Sequence, residues 1–355
     1  MENSYKLREN NLIQDYINNY EFHSTDWKND KIERYEIKNY NNGRYKGEMK
    51  NDKREGCGIF VYNNGNRYEG EWKNDNFEGY GIFYYNNGNR YEGEFKNGNF
   101  EGYGIYNYNN GKYEGEWKNN YREGIGIDDF NNSRKYKGEW KINKREGYGI
   151  EYFNYSGRYE GEFKTDNKEG YGIYDYNNGD RYEGAFNNNK REGYGIYFYK
   201  DGNKYKGEFK ENNKEGYGIY DYNNGDRYEG EFKNDNKEGI GIYYYYNGNR
   251  YEGEYKNNKK EGYGIEYLND GKKYEGEYHN NKEGYGIYYN NNRSRYEGEF
   301  KNGLFNDNGI FYKQNKKVYS KFKNNKPLKF ILIYFWIKRK WKINKLLINY
   351  LKKGK

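Results

Sequence analysis

Few side chains in this sequence could carry covalent or metal chemistry. The only histidines are His23 and His279 and the only cysteine is Cys57, too little to assemble a Cys/His or Ser/His/Asp constellation. Glutamate is abundant instead. Glu71, Glu94 and Glu116 stand at equivalent places in successive stretches, and paired carboxylates are the chemistry of glycoside hydrolysis. A glutamate present in nearly every stretch has a structural explanation first, so no enzyme is expected. The Asn/Asp/Gly-rich turns have neither EF-hand nor Gly-Gly-x-Gly-x-Asp spacing. No metal and no cofactor is expected.

The second chemically distinct group lies near the C-terminus. Phe330 to Ile337 is an apolar run of eight residues, including Tyr334 and Trp336, too short for the ~20 residues of a bilayer span. Lys338, Arg339, Lys340, Trp341 and Lys342 follow it directly. Read as a helix after Pro327, residues 330, 334, 337, 341, 348 and 351 fall near one face, and the basic residues fall mostly elsewhere. Basic amphipathic helices bind anionic membrane surfaces or act as partner targets, each Lys or Arg contributing ~1 kcal/mol near an anionic leaflet. The alternative is that Phe330–Ile337 only caps the last hairpin. Fifteen of the 63 basic residues and none of the 55 acidic ones follow Asp307, so the residues up to it carry a net charge of −7 although the whole chain carries +8.

That acidic balance opposes a polyphosphate partner and argues against nucleic acid, although exposed tyrosines could stack bases. Tyrosine-rich surfaces suit protein partners. One cysteine excludes an internal disulfide, and the N-terminus shows no secretory signal, so the sequence reads as cytoplasmic, peripheral to membrane or cytoskeleton.

The elements that position these groups follow from an internal period. Tyr-x-Gly-Glu begins at Tyr45, Tyr68, Tyr91, Tyr113, Tyr136, Tyr159, Tyr205, Tyr228, Tyr251, Tyr274 and Tyr296, and Tyr182 opens a copy whose Glu has become Ala185. The spacing is 23 residues, shortened to 22 after Tyr91 and after Tyr274. Only 33% of the chain is hydrophobic, which argues against a conventional core, yet 22% is aromatic, which argues against disorder. In Arg67 to Lys73 strict alternation puts Tyr68, Gly70 and Trp72 on one strand face and Arg67, Glu69, Glu71 and Lys73 on the other. Asn74-Asp75-Asn76 makes a turn, Glu78 to Tyr84 makes the second strand, and Asn86-Asn87-Gly88 closes the unit as an Asn-Gly hairpin turn. Tyr68 and Trp72 are expected to lay their rings over Gly70, Gly79 and Gly81, and charges on the polar face to pair across strands.

The fold expected is therefore all-β, an elongated single-layer antiparallel meander of β-hairpin repeats, roughly 115 Å long at ~4.8 Å per strand, with short helices at its two ends. Residues 1–19 (Leu7, Leu12, Ile13, Tyr16, Ile17) form a capping segment, 20–44 a worn repeat, 45–318 twelve repeats, 319–326 a degenerate end, and 327–355 the basic amphipathic segment.

Tyr-Glu-Gly-Glu-Trp (68–72) followed by Glu-Gly-Tyr-Gly-Ile (78–82) resembles the MORN repeat (membrane occupation and recognition nexus), from Tyr45 to about Val318. Cys57, Ile125 and Ile240 depart from its Gly-Tyr-Gly, and Asn132-Ser133 from its Asn-Gly. The resemblance implies stacked β-hairpins, a scaffold role at cytoskeleton or membrane through protein partners, and a homodimer in some all-repeat members.

Overall fold

The structure is a computed structural model that describes residues 36–131, 134–313 and 316–330. Twenty-seven strands, from β1 (Glu36–Tyr40) to β27 (Lys326–Phe330), form one open antiparallel sheet, the meander expected from the repeat. No helix occurs among the described residues. The helices expected at the ends fall on 1–19 and on residues after 330, outside the described residues. By its contacts the chain divides into two compact units, 1–170 and 171–355.

In the first unit, β4 (Arg67–Lys73) and β5 (Asn76–Tyr84) show how one repeat folds. Tyr68 stands opposite Phe83 and Gly70 opposite Gly81, while Arg67 faces Tyr84 and Glu69 faces Ile82. Alternation then separates a ring-bearing face (Tyr68, Trp72, Phe83, with the glycines) from a charged face. The register shifts between Gly70 and Glu71, so that Trp72 comes opposite Phe77. This is a β-bulge with Gly79 at φ +56°, a left-handed conformation that favours glycine.

The core is a layer of rings on one face of the sheet. Tyr68 is fully buried. Its hydroxyl donates to the Glu71 carbonyl at 2.8 Å, and a Cβ on Gly70 would lie 2.5 Å from the Gly81 Cα. The ring therefore replaces the side chains that the glycines lack. Gly79 differs from the expectation: its neighbour is not a ring but the Glu71 carboxylate, whose Cδ would lie 2.6 Å from an added Cβ. From Tyr68 onward each motif tyrosine meets the aromatic residue four positions on edge-to-face, Tyr68 with Trp72 at 5.2 Å. Tyr68 meets the equivalent ring of the next repeat in the same way, Phe95 at 5.1 Å. Such pairs add ~0.5–1.5 kcal/mol each beyond burial. In the second unit Tyr205 repeats the pattern, meeting Phe209 at 5.2 Å and Phe232 at 5.0 Å.

The turns correct two expectations. The loop after Tyr84 is not a two-residue Asn-Gly turn: Gly88 N–H donates to Tyr85 O, Tyr85 N–H donates to Asn89 O, and only Gly88 takes positive φ. The two-residue loops with both φ positive are Asn74-Asp75 and its equivalents, which is the type I′ geometry matched to strand twist. Ile142 at φ +47° and Thr165 at φ +48° occupy the same turn, an unusual place for β-branched residues. Charges on the polar face pair chiefly along one strand at i and i+2, as in Arg90–Glu92 at 2.7 Å and Arg227–Glu229 at 2.7 Å. The period-2 geometry puts those two side chains on one face. Cross-strand pairs such as Lys135–Asp129 at 2.9 Å also occur.

At the described ends, β1 pairs with β2 (Gly43–Lys50) around Asn41-Asn42. The final strand β27 pairs with β26 (Lys316–Lys323), and Pro327 stands opposite Phe322. The boundary drawn at residue 327 thus falls inside a strand that runs to Phe330.

Candidate interaction surface

The recurrent glutamates are held by the backbone. Glu71 accepts the Tyr80 N–H at 3.0 Å, Glu94 the Tyr103 N–H at 3.3 Å and Glu116 the Ile125 N–H at 3.0 Å. Each satisfies a donor that the bulge removes from the ladder. The glutamate of the second strand reaches one repeat further. Glu78 accepts the Asn97 N–H and Glu146 the Thr165 N–H, at 3.0 and 2.9 Å; in the second unit Glu215 accepts the Asn234 N–H at 3.0 Å. The turn residue answers in the other direction: Asp75 accepts from the Arg54 N–H at 2.9 Å and Asp235 from the Lys214 N–H at 2.9 Å. Neighbouring hairpins are joined by side chains as well as by strand pairing.

A further row, unforeseen in the sequence, is the residue just before each Glu-Gly. Phe77 and Phe100 stack on Tyr68 and Tyr91 at 3.8 and 3.7 Å. Elsewhere a cation takes the same place: Arg122 lies 4.8 Å from the Tyr113 ring, Lys260 4.3 Å from Tyr251 and Lys282 5.1 Å from Tyr274. Phe, Arg and Lys share little hydropathy but all pair with an aromatic face. That substitution pattern was the available signal. Where the ring-bearing face carries an acid, these cations neutralise it. Buried Asp128 meets Arg122 at 2.8 Å, buried Glu151 meets Arg145 at 2.5 Å, and Glu266 meets Lys260 and Lys282 at 3.0 and 2.7 Å.

Two surfaces result. An open groove of about 1130 Å³ in the first unit is lined by Trp117, Trp140 and Phe163, by seven glutamates from Glu101 to Glu169, and by Lys118, Lys141 and Lys164. In the second unit Tyr171, Tyr194 and Tyr217 stand 53, 56 and 55% exposed, one per repeat. Among the described residues no group of three or more His, Cys, Asp or Glu could hold a metal ion, and no helix is long and apolar enough to cross a membrane.

The motif residues Tyr68, Gly70, Glu71, Trp72, Gly79 and Gly81 thus come together in one hairpin, around the bulge. Of the attachment residues, Phe330 ends β27. Tyr334, Trp336, Ile337, Lys338, Arg339, Lys340, Trp341 and Lys342 lie outside the described residues.

No match is found among curated proteins. Among solved structures the chain is similar to the SAS-4 (dCPAP) TCP domain in complex with a proline-rich motif of Ana2 (dSTIL) of Drosophila melanogaster. Identity there is 18%, over 43% of this chain and 86% of that one, at a TM-score of 0.28. It is also similar to a streptogramin B lyase structure, with 12% identity over 75% and 90% of the two chains and a TM-score of 0.14. Likenesses this distant carry no argument about the chain. The repeats do: the MORN repeat model matches residues 45–67, 68–90, 91–112, 113–127, 136–154, 159–181, 182–204, 205–227, 228–250, 251–273, 274–295 and 296–316. Twelve consecutive matches, falling on hairpins built alike around a buried tyrosine, place this chain in the MORN repeat family.

Proposed function

We propose that this chain is a non-catalytic scaffold that organises protein partners at a membrane or cytoskeletal surface, with residues 327–355 as its attachment segment. The observation that carries this reading is the regular row of exposed Tyr171, Tyr194 and Tyr217. Tyrosine supplies rigid amphipathic contact area at small entropic cost, and a row of one per repeat suits an extended partner. The acid-free stretch after Asp307 supports electrostatic attachment to an anionic leaflet. A homodimer is part of the proposal, because an open sheet has edge strands able to pair with a second copy.

The second reading, that the C-terminal segment only caps the array and touches no lipid, is favoured by the pairing of β27 with β26. Flotation with vesicles containing phosphatidylserine separates the two. The full chain is expected to float, and the same chain carrying Lys338→Glu, Arg339→Glu and Lys340→Glu to remain at the bottom of the gradient. Equal behaviour of both chains would leave the capping reading standing.

A further inference from the structure

One pocket in the second unit is not accounted for by the repeat motif. It is an open recess of about 440 Å³, lined by Lys237, Lys260, Lys282, Tyr255, Tyr278 and Glu266, among others. The three lysines hold the place before Glu-Gly in successive repeats, on β19 (Asn236–Tyr244), β21 (Lys259–Tyr267) and β23 (Asn281–Tyr289). Two strands separate neighbours in this row, ~9.6 Å at ordinary strand spacing; all three lysines line the one pocket, and the Lys260 and Lys282 ammonium groups meet at Glu266.

The charges there do not balance. Glu266 is the sole carboxylate in the lining, and it serves both Lys260 and Lys282. Lys237 makes no ion pair within contact distance among the described residues. Its surroundings are ring faces: Tyr243 at 4.6 Å, Tyr228 at 5.1 Å, Tyr222 at 5.2 Å and Tyr255 at 5.9 Å. A hydroxyl in the same lining is also unmatched. Tyr278 is 4% exposed and its Oη is buried without a hydrogen-bond partner, a cost that a folded protein seldom carries without a use. With Lys259 also in the lining, four lysines stand against one carboxylate; that excess of positive charge beside an orphaned hydroxyl donor is the complement of a dianionic oxyanion, which accepts several charge-assisted hydrogen bonds at once.

We propose that this pocket binds a phosphoryl group, held by the Lys237, Lys260 and Lys282 ammonium groups and by a hydrogen bond donated from the Tyr278 hydroxyl. Aromatic faces hold the lysines in place, which lowers the ordering cost of binding. Free phosphate and a phosphate monoester offer the same oxygens.

Calorimetric titration of the full chain with inorganic phosphate, and in parallel with glycerol 3-phosphate, both at constant ionic strength set by sodium chloride, tests the site. Saturable one-to-one binding is expected, tighter for the free ion if it is the natural ligand and tighter for the ester if the group is carried on a larger molecule. Lys237→Met is expected to weaken binding at least tenfold. Tyr278→Phe removes only an unpartnered oxygen, so it should leave the melting midpoint unlowered while weakening binding about tenfold, the factor that corresponds to ~1.4 kcal/mol. Absence of binding to either anion, or unchanged affinity in Tyr278→Phe, overturns the assignment.

Discussion

Arg122 and Asp128 show how one acid is tolerated in a layer of rings. Asp128 is 4% exposed; Arg122 reaches one of its oxygens at 2.8 Å and the Tyr108 hydroxyl donates to the other. Removing one partner of a buried pair strands the other, at a cost of about 3–5 kcal/mol. Arg122→Met should therefore be strongly destabilising in urea, while adding Asp128→Tyr, the residue found at that place as Tyr106 and Tyr174, should recover most of the loss. A double variant no more stable than the single one would refute the pairing. Lys237 gives a test by pH. Burial lowers its amine to about 8, against the smaller raising influence of Asp226 and alongside the lowering one of Lys214. An unfolded lysine titrates near ~10.4. Below about pH 8 both states hold the proton and stability does not depend on it. Above that the unfolded chain holds more protons, so stability rises with pH. Burial raises the phenols of the surrounding Tyr222, Tyr228, Tyr243 and Tyr255, which keeps them neutral across the window. Denaturation midpoints over about pH 8–9.5 should rise more steeply for the unsubstituted chain than for Lys237→Met. Parallel slopes would count against a lowered amine.

At the scale of the hairpin, the bulge and its glutamate form one device, and one repeat lacks half of it. Ala185 stands where the other units have glutamate, and its methyl comes 3.6 Å from a Cβ built on Gly193, where a carboxylate sits elsewhere. Ala185→Glu should restore the hydrogen bond to the Tyr194 N–H and stabilise the chain by about 0.5–1.5 kcal/mol, read as a higher denaturation midpoint. No gain would mean that the carboxylate contributes nothing. Much of this hairpin was legible in the sequence. Alternation across Arg67–Lys73 sorted the two faces, and the period set the phase of every strand. The bulge was not legible, because Glu78-Gly79 fits an uninterrupted strand equally well and nothing local reports that Gly79 turns left-handed. The turns were misread for a related reason. Asn-Gly invites a two-residue loop, whereas the sheet places that geometry at Asn74-Asp75 and imposes it even on Ile142. The cations before Glu-Gly escaped notice because hydropathy separates Phe77 from Arg122 and Lys260, while the tyrosine face beneath them accepts all three.

Across the whole molecule, interchangeable units make a prediction about length. Deleting residues 205–227, one complete repeat, joins Lys204 to Tyr228 just as Arg227 precedes Tyr228 now. The shortened chain should fold and unfold cooperatively, with a denaturant slope reduced in proportion to the surface lost. Deleting only 205–216 breaks the alternation of hairpin and turn and should leave a chain that lacks a cooperative transition. Similar behaviour of the two deletions would show that the phase of the repeat is unimportant.

Strand pairing with the chain neighbour, described above as a feature of architecture, also bears on how the fold is reached. All-β proteins usually fold slowly because their strands must find partners far along the chain. Within each unit here a strand's partner is the next one to be made, and the side-chain bridges from Glu78 and Asp75 span less than one further repeat. The loop to be closed at each step is short, so its entropic cost is small. A nascent chain of this kind can lay down its sheet hairpin by hairpin during synthesis, each finished unit serving as the template for the next.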